Sequence, residues 1–344
     1  MKMPDGNTPT KDAAGTGIRT NRRVLLPAGR TVAHVQESSA MITYLEATVI
    51  GAVQGVTELF PISSLGHSVL IAAWVGGDWR KLLVQNESGT GNPYLAFVVA
   101  LHVATAVALL GYYWRDWCAI IGGFVTTLRT RRLDTVPQRL AWLIVIASTP
   151  VAILGPLLVH PLHALFEGPI DAAIFLTLNG VVLVIGEGLR RRNEPTLAEY
   201  GRRFALTSAS HPSRQSDRPL AALGTRDAVG IGFAQAGALL AGFSRAGLTM
   251  VGGLWRGLEH THAAKFAFLL ATPAILGAGI VELPELFGPE TDGIRGPILV
   301  GAIVSGTSSW LAVRYLERHF QTRTLLPFAT YSLIVGLLSI VHFS

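Results

Sequence analysis

Apolar and polar positions along this chain fall into long blocks. Leu95–Trp114, Leu140–Val159, Ala172–Leu189, Ala263–Val281, Pro297–Val313 and Leu325–Val341 contain almost no charge. Each approaches the ~20 apolar residues that carry a helix across a bilayer. Two further apolar stretches are broken in the middle by Gly, Pro, Ser and charge. The first runs from Gly51 through Gln54, Glu58, Pro61, Ser63, Ser64, Gly66 and His67 to Trp74 and Gly76. The second runs from Gly232 through Gln235, Ser244, Arg245, Gly247 and Thr249 to Trp255 and Gly257. One offset of 181 residues pairs Gly51 with Gly232, Gln54 with Gln235, Ser63 with Ser244, Gly66 with Gly247, Trp74 with Trp255 and Gly76 with Gly257. Glycines alone would match by chance in so Gly-rich a chain. Gln, Ser and Trp matching without a gap indicate an internal repeat.

Each broken stretch is followed by three plain spans, so the pattern predicts an all-α polytopic membrane protein of two repeats. If each broken stretch enters the membrane as a re-entrant helix hairpin and returns, each half crosses three times. An odd number inverts the second half, which is the inverted-topology plan that places broken helices and their ligand near mid-membrane. The expected organisation is a disordered tail over 1–40, repeat one over about 41–190, a cytoplasmic linker over about 190–227 and repeat two over about 228–344. Met41 opens directly into apolar sequence and is expected to be an alternative start.

Composition agrees. Half the residues are hydrophobic and only 15% are charged, where a soluble domain carries nearer a quarter. The net charge of +6 invites a nucleic-acid reading, but excess Arg in a membrane protein marks cytoplasmic loops. No nucleic-acid motif accompanies it. Arg115, Arg129, Arg131, Arg132 and Arg139, then Arg190, Arg191, Arg192, Arg202 and Arg203, then Arg314, Arg318 and Arg323 fall in connections on one face. The opposite loops hold Glu167, Asp171, Glu282, Glu285, Glu290 and Asp292. The basic face is therefore expected inside, with the first broken stretch opening outward. The basic tail, with Lys2, Lys11, Arg19, Arg22, Arg23 and Arg30, runs against this pattern. The single cysteine, Cys118, excludes an intramolecular disulfide and reads as an inert packed thiol.

Ionisable groups inside a membrane are costly and are functional candidates by default. Ser63 and Ser244 each precede a resumed helix, where free N–H groups and the helix dipole favour an anion. Arg245 adds a planar fork suited to phosphate oxygens. His67, one turn beyond Ser64, is placed to take a proton from that hydroxyl. Glu58, with Gln54 one turn earlier, suits a hard divalent cation bridging to phosphates. Plainer alternatives stand beside each: Ser63 and Ser64 as caps, Glu58 as a hydrogen-bonded structural carboxyl, His67 as the partner of a backbone carbonyl. His102, His160, His163, His260 and His262 read as non-chemical.

At these residues the sequence resembles the bacterial undecaprenyl-diphosphatase family, also known for bacitracin resistance. Gln54, Glu58, Pro61, Ser63, Ser64, Gly66 and His67 match its first signature, and Gly242, Ser244, Arg245, Gly247 and Thr249 match its second. Ala241 and Ala246 replace a Pro and a Ser of that second signature, and Gln54 stands where a Glu is common. The resemblance covers about residues 41–344. It implies hydrolysis of undecaprenyl pyrophosphate to undecaprenyl phosphate with Mg²⁺ or Ca²⁺, at the outer side of a bacterial plasma membrane, recycling the lipid carrier of cell-wall synthesis. It further implies Ser64 as nucleophile, His67 as its proton partner, Glu58 at the metal, and Ser63, Ser244, Arg245 and Thr249 at phosphate. A metal-bound water is the alternative nucleophile, and a homodimer is compatible with all of this. The rival function is a transporter or flippase of an isoprenoid phosphate or small anion, since inverted repeats also build transporters. The type-2 phosphatidic-acid phosphatases need a His-x-x-x-Asp, and here His260 is followed by Ala264 and His262 by Phe266.

Overall fold

The broken stretches favour pairs of short helices, because Pro61 lacks an N–H and Gly242 has no side chain to hold a regular backbone. In a computed structural model of the chain, describing residues 42–77, 79, 93–165, 168–192, 220, 223–288 and 291–344, that is what they form. The first gives α1 (Tyr44–Thr57) and α2 (Ser64–Val75), the second α7 (Thr225–Ala236) and α8 (Arg245–Trp255). Between and after them lie α3 (Pro93–Tyr112), α4 (Trp114–Thr130), α5 (Val136–Leu165), α6 (Pro169–Arg192), α9 (His260–Glu282), α10 (Arg295–Phe320) and α11 (Leu326–Phe343). Among the described residues these are all α-helices or short 3-10 turns, and they belong to one unit, 40–344. The tail, Met41, Arg202, Arg203, Glu167 and Glu290 lie outside the described residues.

Among the described residues, six helices are long and apolar enough to cross a membrane: α3, α5, α6, α9, α10 and α11. They coincide with the six uncharged blocks of the sequence. The paired helices have 14, 12, 12 and 11 residues. At about 1.5 Å per residue none reaches across the ~30 Å hydrocarbon layer alone.

Packing joins the two halves. Helix α1 lies on α10, α7 on α5, and α6 on α11. A Cβ added at Gly51 would meet the Gly301 carbonyl oxygen at 2.5 Å, and one at Gly232 would meet the Ala147 carbonyl oxygen at the same distance. Each glycine therefore lets its broken helix approach a span backbone closely. At one end of the molecule Trp74 of α2 stacks on His342 of α11, and Gly296 of α10 lies against the Tyr44 ring of α1. At the other end the starts of α9 and α11 meet the last turns of α6. There buried Glu187 accepts from His260 at 2.8 Å and from the Leu325 N–H at 3.4 Å. Glu317 of α10 accepts from both Tyr112 and Tyr113 at that same end.

Two expectations change. The connection Arg115–Arg139 contains a helix, α4, which three charges exclude from the spans but which still packs Ile120 and Thr127 inward. Cys118 is exposed on that helix rather than packed.

Candidate active site

A capping box starts α1, with the Thr43 hydroxyl accepting from the Glu46 N–H and Glu46 accepting from the Thr43 N–H. The helix carries Gln54 and Glu58 on one face and ends at Glu58. Pro61 stops continuation, and the chain turns through Ser63 at φ 70°. A β-carbon residue in that left-handed region is strained by roughly 1–3 kcal/mol. The turn lets the Ser63 hydroxyl cap α2 by accepting from Gly66 N–H at 3.1 Å. The second segment repeats the device, with the Ser244 hydroxyl accepting from Gly247 N–H at 3.1 Å.

The two breaks touch. A Cβ at Gly66 would lie 2.9 Å from Gly242 Cα, and Gly242 itself sits at φ 114°. Asn179 of α6, fully buried, donates to the Pro61 carbonyl at 3.0 Å and accepts from the Ser244 N–H at 3.0 Å. The Ser244 hydroxyl donates to the Phe60 carbonyl at 3.3 Å. One side chain thus pins both tips, and nothing in the sequence order marked Asn179 for it.

Beside this junction lies a cavity of about 390 Å³, lined by Gln54, Glu58, Ser63, Ser64, Ser244 and Arg245 together with apolar residues of α3 and α9. The Ser64 hydroxyl donates to Glu58 Oε2 at 2.5 Å. Gln54 Nε2 donates to the same oxygen at 3.2 Å. Arg245 stands 3.8 Å from Glu58 Oε1. Capping uses the N–H groups of Gly66 and Gly247, so those of Ser64, Leu65, Arg245 and Ala246 make no hydrogen bond among the described residues. Two helix N-termini and one guanidinium therefore face one cavity, an arrangement that favours a polyanion.

Three placements differ from the sequence reading. His67 does not meet the Ser64 hydroxyl: Nδ1 donates to the Ser63 carbonyl at 2.6 Å and Nε2 pairs with the Tyr331 hydroxyl at 2.9 Å. That carbonyl, one helical turn before the ring, also accepts from the His67 N–H at 3.3 Å, and together with Tyr331 it engages both ring nitrogens. Thr249 is buried, its hydroxyl donating to the Arg245 carbonyl at 2.8 Å, and it does not line the cavity. His102, read as non-chemical, does line it. Its Nδ1 donates to the Val98 carbonyl at 2.9 Å, which leaves Nε2 to accept from Gln54 Nε2 at 3.0 Å; the tautomer follows from these partners. Nε2 is also 3.6 Å from Glu58. An ionisable residue inside an apolar span was the available signal.

Among the described residues no group of three or more His, Cys, Asp or Glu converges to hold a metal. The donors present, one carboxylate and one amide a turn apart, suit a hard cation that takes its other ligands from water and phosphate oxygens.

The family model described as bacitracin resistance protein BacA matches residues 47–338. Among relatives, undecaprenyl-diphosphatase 2 of Frankia alni is 49% identical over 338 residues, covering 88% of this chain and 98% of that protein. Undecaprenyl-diphosphatase of Mycolicibacterium paratuberculosis is 53% identical over 303 residues, with the same coverage of each. That of Granulibacter bethesdensis is 40% identical over 308 residues, covering 87% and 97%. With a match that runs from α1 into α11 and takes in both broken segments, the chain belongs to the bacitracin resistance protein BacA family.

Proposed function

We infer that the protein is an undecaprenyl-diphosphatase, hydrolysing undecaprenyl pyrophosphate to undecaprenyl phosphate and phosphate and so returning the lipid carrier to cell-wall synthesis. The observation that carries the mechanism is the Ser64 hydroxyl hydrogen-bonded to Glu58 in a cavity that also holds Arg245. The terminal phosphoryl group sits against Arg245 and the N-termini of α2 and α8. Ser64 Oγ attacks its phosphorus while Glu58 takes the hydroxyl proton. The bond between that phosphorus and the bridging oxygen breaks, Glu58 passes its proton to the departing oxygen, and undecaprenyl phosphate leaves with its apolar chain along α3 and α9. Water then attacks the phosphoserine, giving up a proton to Glu58; the bond from phosphorus to Ser64 Oγ breaks, Glu58 returns that proton to Oγ, and phosphate departs. Ser63 and Ser244 hold the two helix starts, and Thr249 supports Arg245 from behind. His67 locks the strained Ser63 turn.

A divalent cation, Mg²⁺ or Ca²⁺, would be held by Glu58 and the Gln54 carbonyl oxygen. When bound it would neutralise charge on the pyrophosphate. Gln54 Nε2 already serves Glu58 and His102, which leaves its Oε1 for this purpose.

The inverted, re-entrant architecture belongs to the same proposal. Supporting it, α1 starts beside the start of α10 and α2 ends beside the end of α11, and these are same-side ends of two consecutive spans. The second pair closes in the same way, with Arg256 after α8 lying 3.4 Å from Asp227 at the start of α7. Three spans separate the pairs, so they enter from opposite faces. The α1–α2 pair opens on the face away from Arg115, Arg129, Arg314 and Arg318, which the positive-inside rule makes the outer one.

Phosphate release by purified protein, with trapping of labelled phosphate on Ser64, tests the mechanism. Release should fall roughly 10³-fold or more in Ser64→Ala and Glu58→Gln and require a divalent cation. Unchanged release in both variants would overturn it.

A further inference from the structure

Helix α4 has three faces rather than two. One packs inward, with Ile120 and Thr127 buried, Phe124 against Trp142 at 5.3 Å, and Gly123 against the backbone at Gln138. A second, at spacings of four and three residues, carries Trp114, Cys118, Ile121, Val125 and Leu128, all exposed. Beside that stripe stand Arg115, whose guanidinium lies 5.4 Å from the Trp114 ring, and Arg129. Arg131 and Arg132 follow in the turn that ends the helix, and all four are exposed. Among the described residues, Asp116 is the one acidic side chain on the helix, and Lys265 engages it at 2.8 Å. None of the four arginines forms a salt bridge with a described residue.

The neighbours fix how this helix lies. It joins the end of span α3 to the start of span α5, through one residue at its beginning and five at its end. It is too charged to cross, so both its ends stay at the same face of the membrane. A helix held so, with an apolar stripe flanked by Arg, has the composition of one lying in the plane of the interface.

We propose that α4 is an interfacial helix whose arginine edge binds the headgroups of anionic phospholipids. Trp114, Ile121, Val125 and Leu128 insert among the upper acyl carbons. Arg115, Arg129, Arg131 and Arg132 then stand at the depth of the phosphates. Negative lipid is the complement of four cations without a counter-ion among the described residues, and zwitterionic lipid is not. This inference is independent of the catalytic reading.

Cys118, the chain's one cysteine, lies on the stripe and provides the probe. The full chain, labelled there with a fluorophore, is placed in nanodiscs of mixed phosphatidylglycerol and phosphatidylcholine. Either lipid in turn carries a nitroxide high on its acyl chain. Quenching by the glycerol lipid should exceed that by the choline lipid about fivefold. The ratio should fall toward one in about 0.5 M salt and in the variant Arg115→Gln/Arg129→Gln/Arg131→Gln/Arg132→Gln. The salt titration of the native chain keeps the test decisive if that variant folds poorly. A ratio of one in the native chain, or one that salt does not move, overturns the proposal. So does a label quenched by aqueous iodide and not by lipid. A label shielded from both also overturns it, because another protein surface, such as a second copy, then covers the stripe.

Discussion

At the first residue of α2 the chain carries Ser64; at the same position of α8, 181 residues on, it carries Arg245. The backbone devices around the two are alike: a preceding serine that caps the helix, a glycine three residues later, a buried glutamine in the helix before. The side chains aimed at the cavity are not. Glu58 corresponds to Leu239; away from the cavity, His67 corresponds to Leu248. One copy holds the hydroxyl and the carboxylate, and the other holds the positive charge. Two like copies would set either two carboxylates or two cations at one point, and neither arrangement both activates a nucleophile and binds an anion.

The largest effect should come from the group that exists in one copy alone. Glu58→Gln keeps the shape but cannot take the Ser64 proton, and should lower the rate of phosphate release roughly 10³-fold. Leu239→Gln, which puts the same amide at the corresponding position of the other copy, should leave the rate within about twofold, since general-base action is absent there. Equal losses in both variants would end the division of labour.

Arg245→Lys comes next. It retains the charge and loses the fork, so the rate should fall roughly 10²-fold with KM rising less than kcat falls. A variant as active as the native protein would reduce Arg245 to a general counter-charge.

Much of this was legible in the sequence, for a physical reason. Span helices are written in contiguous apolar blocks, so all six were visible within a few residues of their ends. Breaks are written in Pro, Gly and Ser, so both tips and both caps were visible too. The rest depends on contacts between distant segments. His102 reaches Gln54 only because α3 packs beside α1 and α9. Asn179 reaches both tips only because they meet. His67 turns from Ser64 because its ring is held between the Ser63 carbonyl and Tyr331 of the distant α11. Helix α4 was missed because its charge resembles that of a loop, and only the spacing of Trp114, Ile121, Val125 and Leu128 betrays it.

The junction of the copies predicts the next effect. Gly66→Ala would bring a methyl to 2.9 Å from Gly242 Cα, backbone that cannot move aside cheaply. About 2 kcal/mol of stability should be lost. Gly242→Ala faces the Ala172 carbonyl oxygen at 2.5 Å and adds the strain of φ 114°. It should be the more damaging of the two in thermal unfolding. The reverse order would make the contact between the tips tighter than that of Gly242 against α6.

The smallest effect separates the two glutamines. Both are buried, at 4% exposure for Gln54 and 1% for Gln235. Gln54 donates to Glu58 and to His102, so Gln54→Leu takes one of two donors from Glu58 Oε2, which keeps Ser64, and orphans a ring nitrogen. Orphaned buried acceptors are costly, and the variant should lose about 1–3 kcal/mol of stability and roughly tenfold in rate. Gln235 has no protein partner among the described residues. Gln235→Leu therefore strands no other group of the protein, and its melting temperature should stay within the spread of repeated measurements. Melting curves of the two variants side by side decide the matter. If Gln235→Leu loses as much as Gln54→Leu, the glutamine is part of the repeated frame and serves both helices alike. If only Gln54→Leu loses, the residue is frame in neither copy, and in the first it belongs to the Glu58 site.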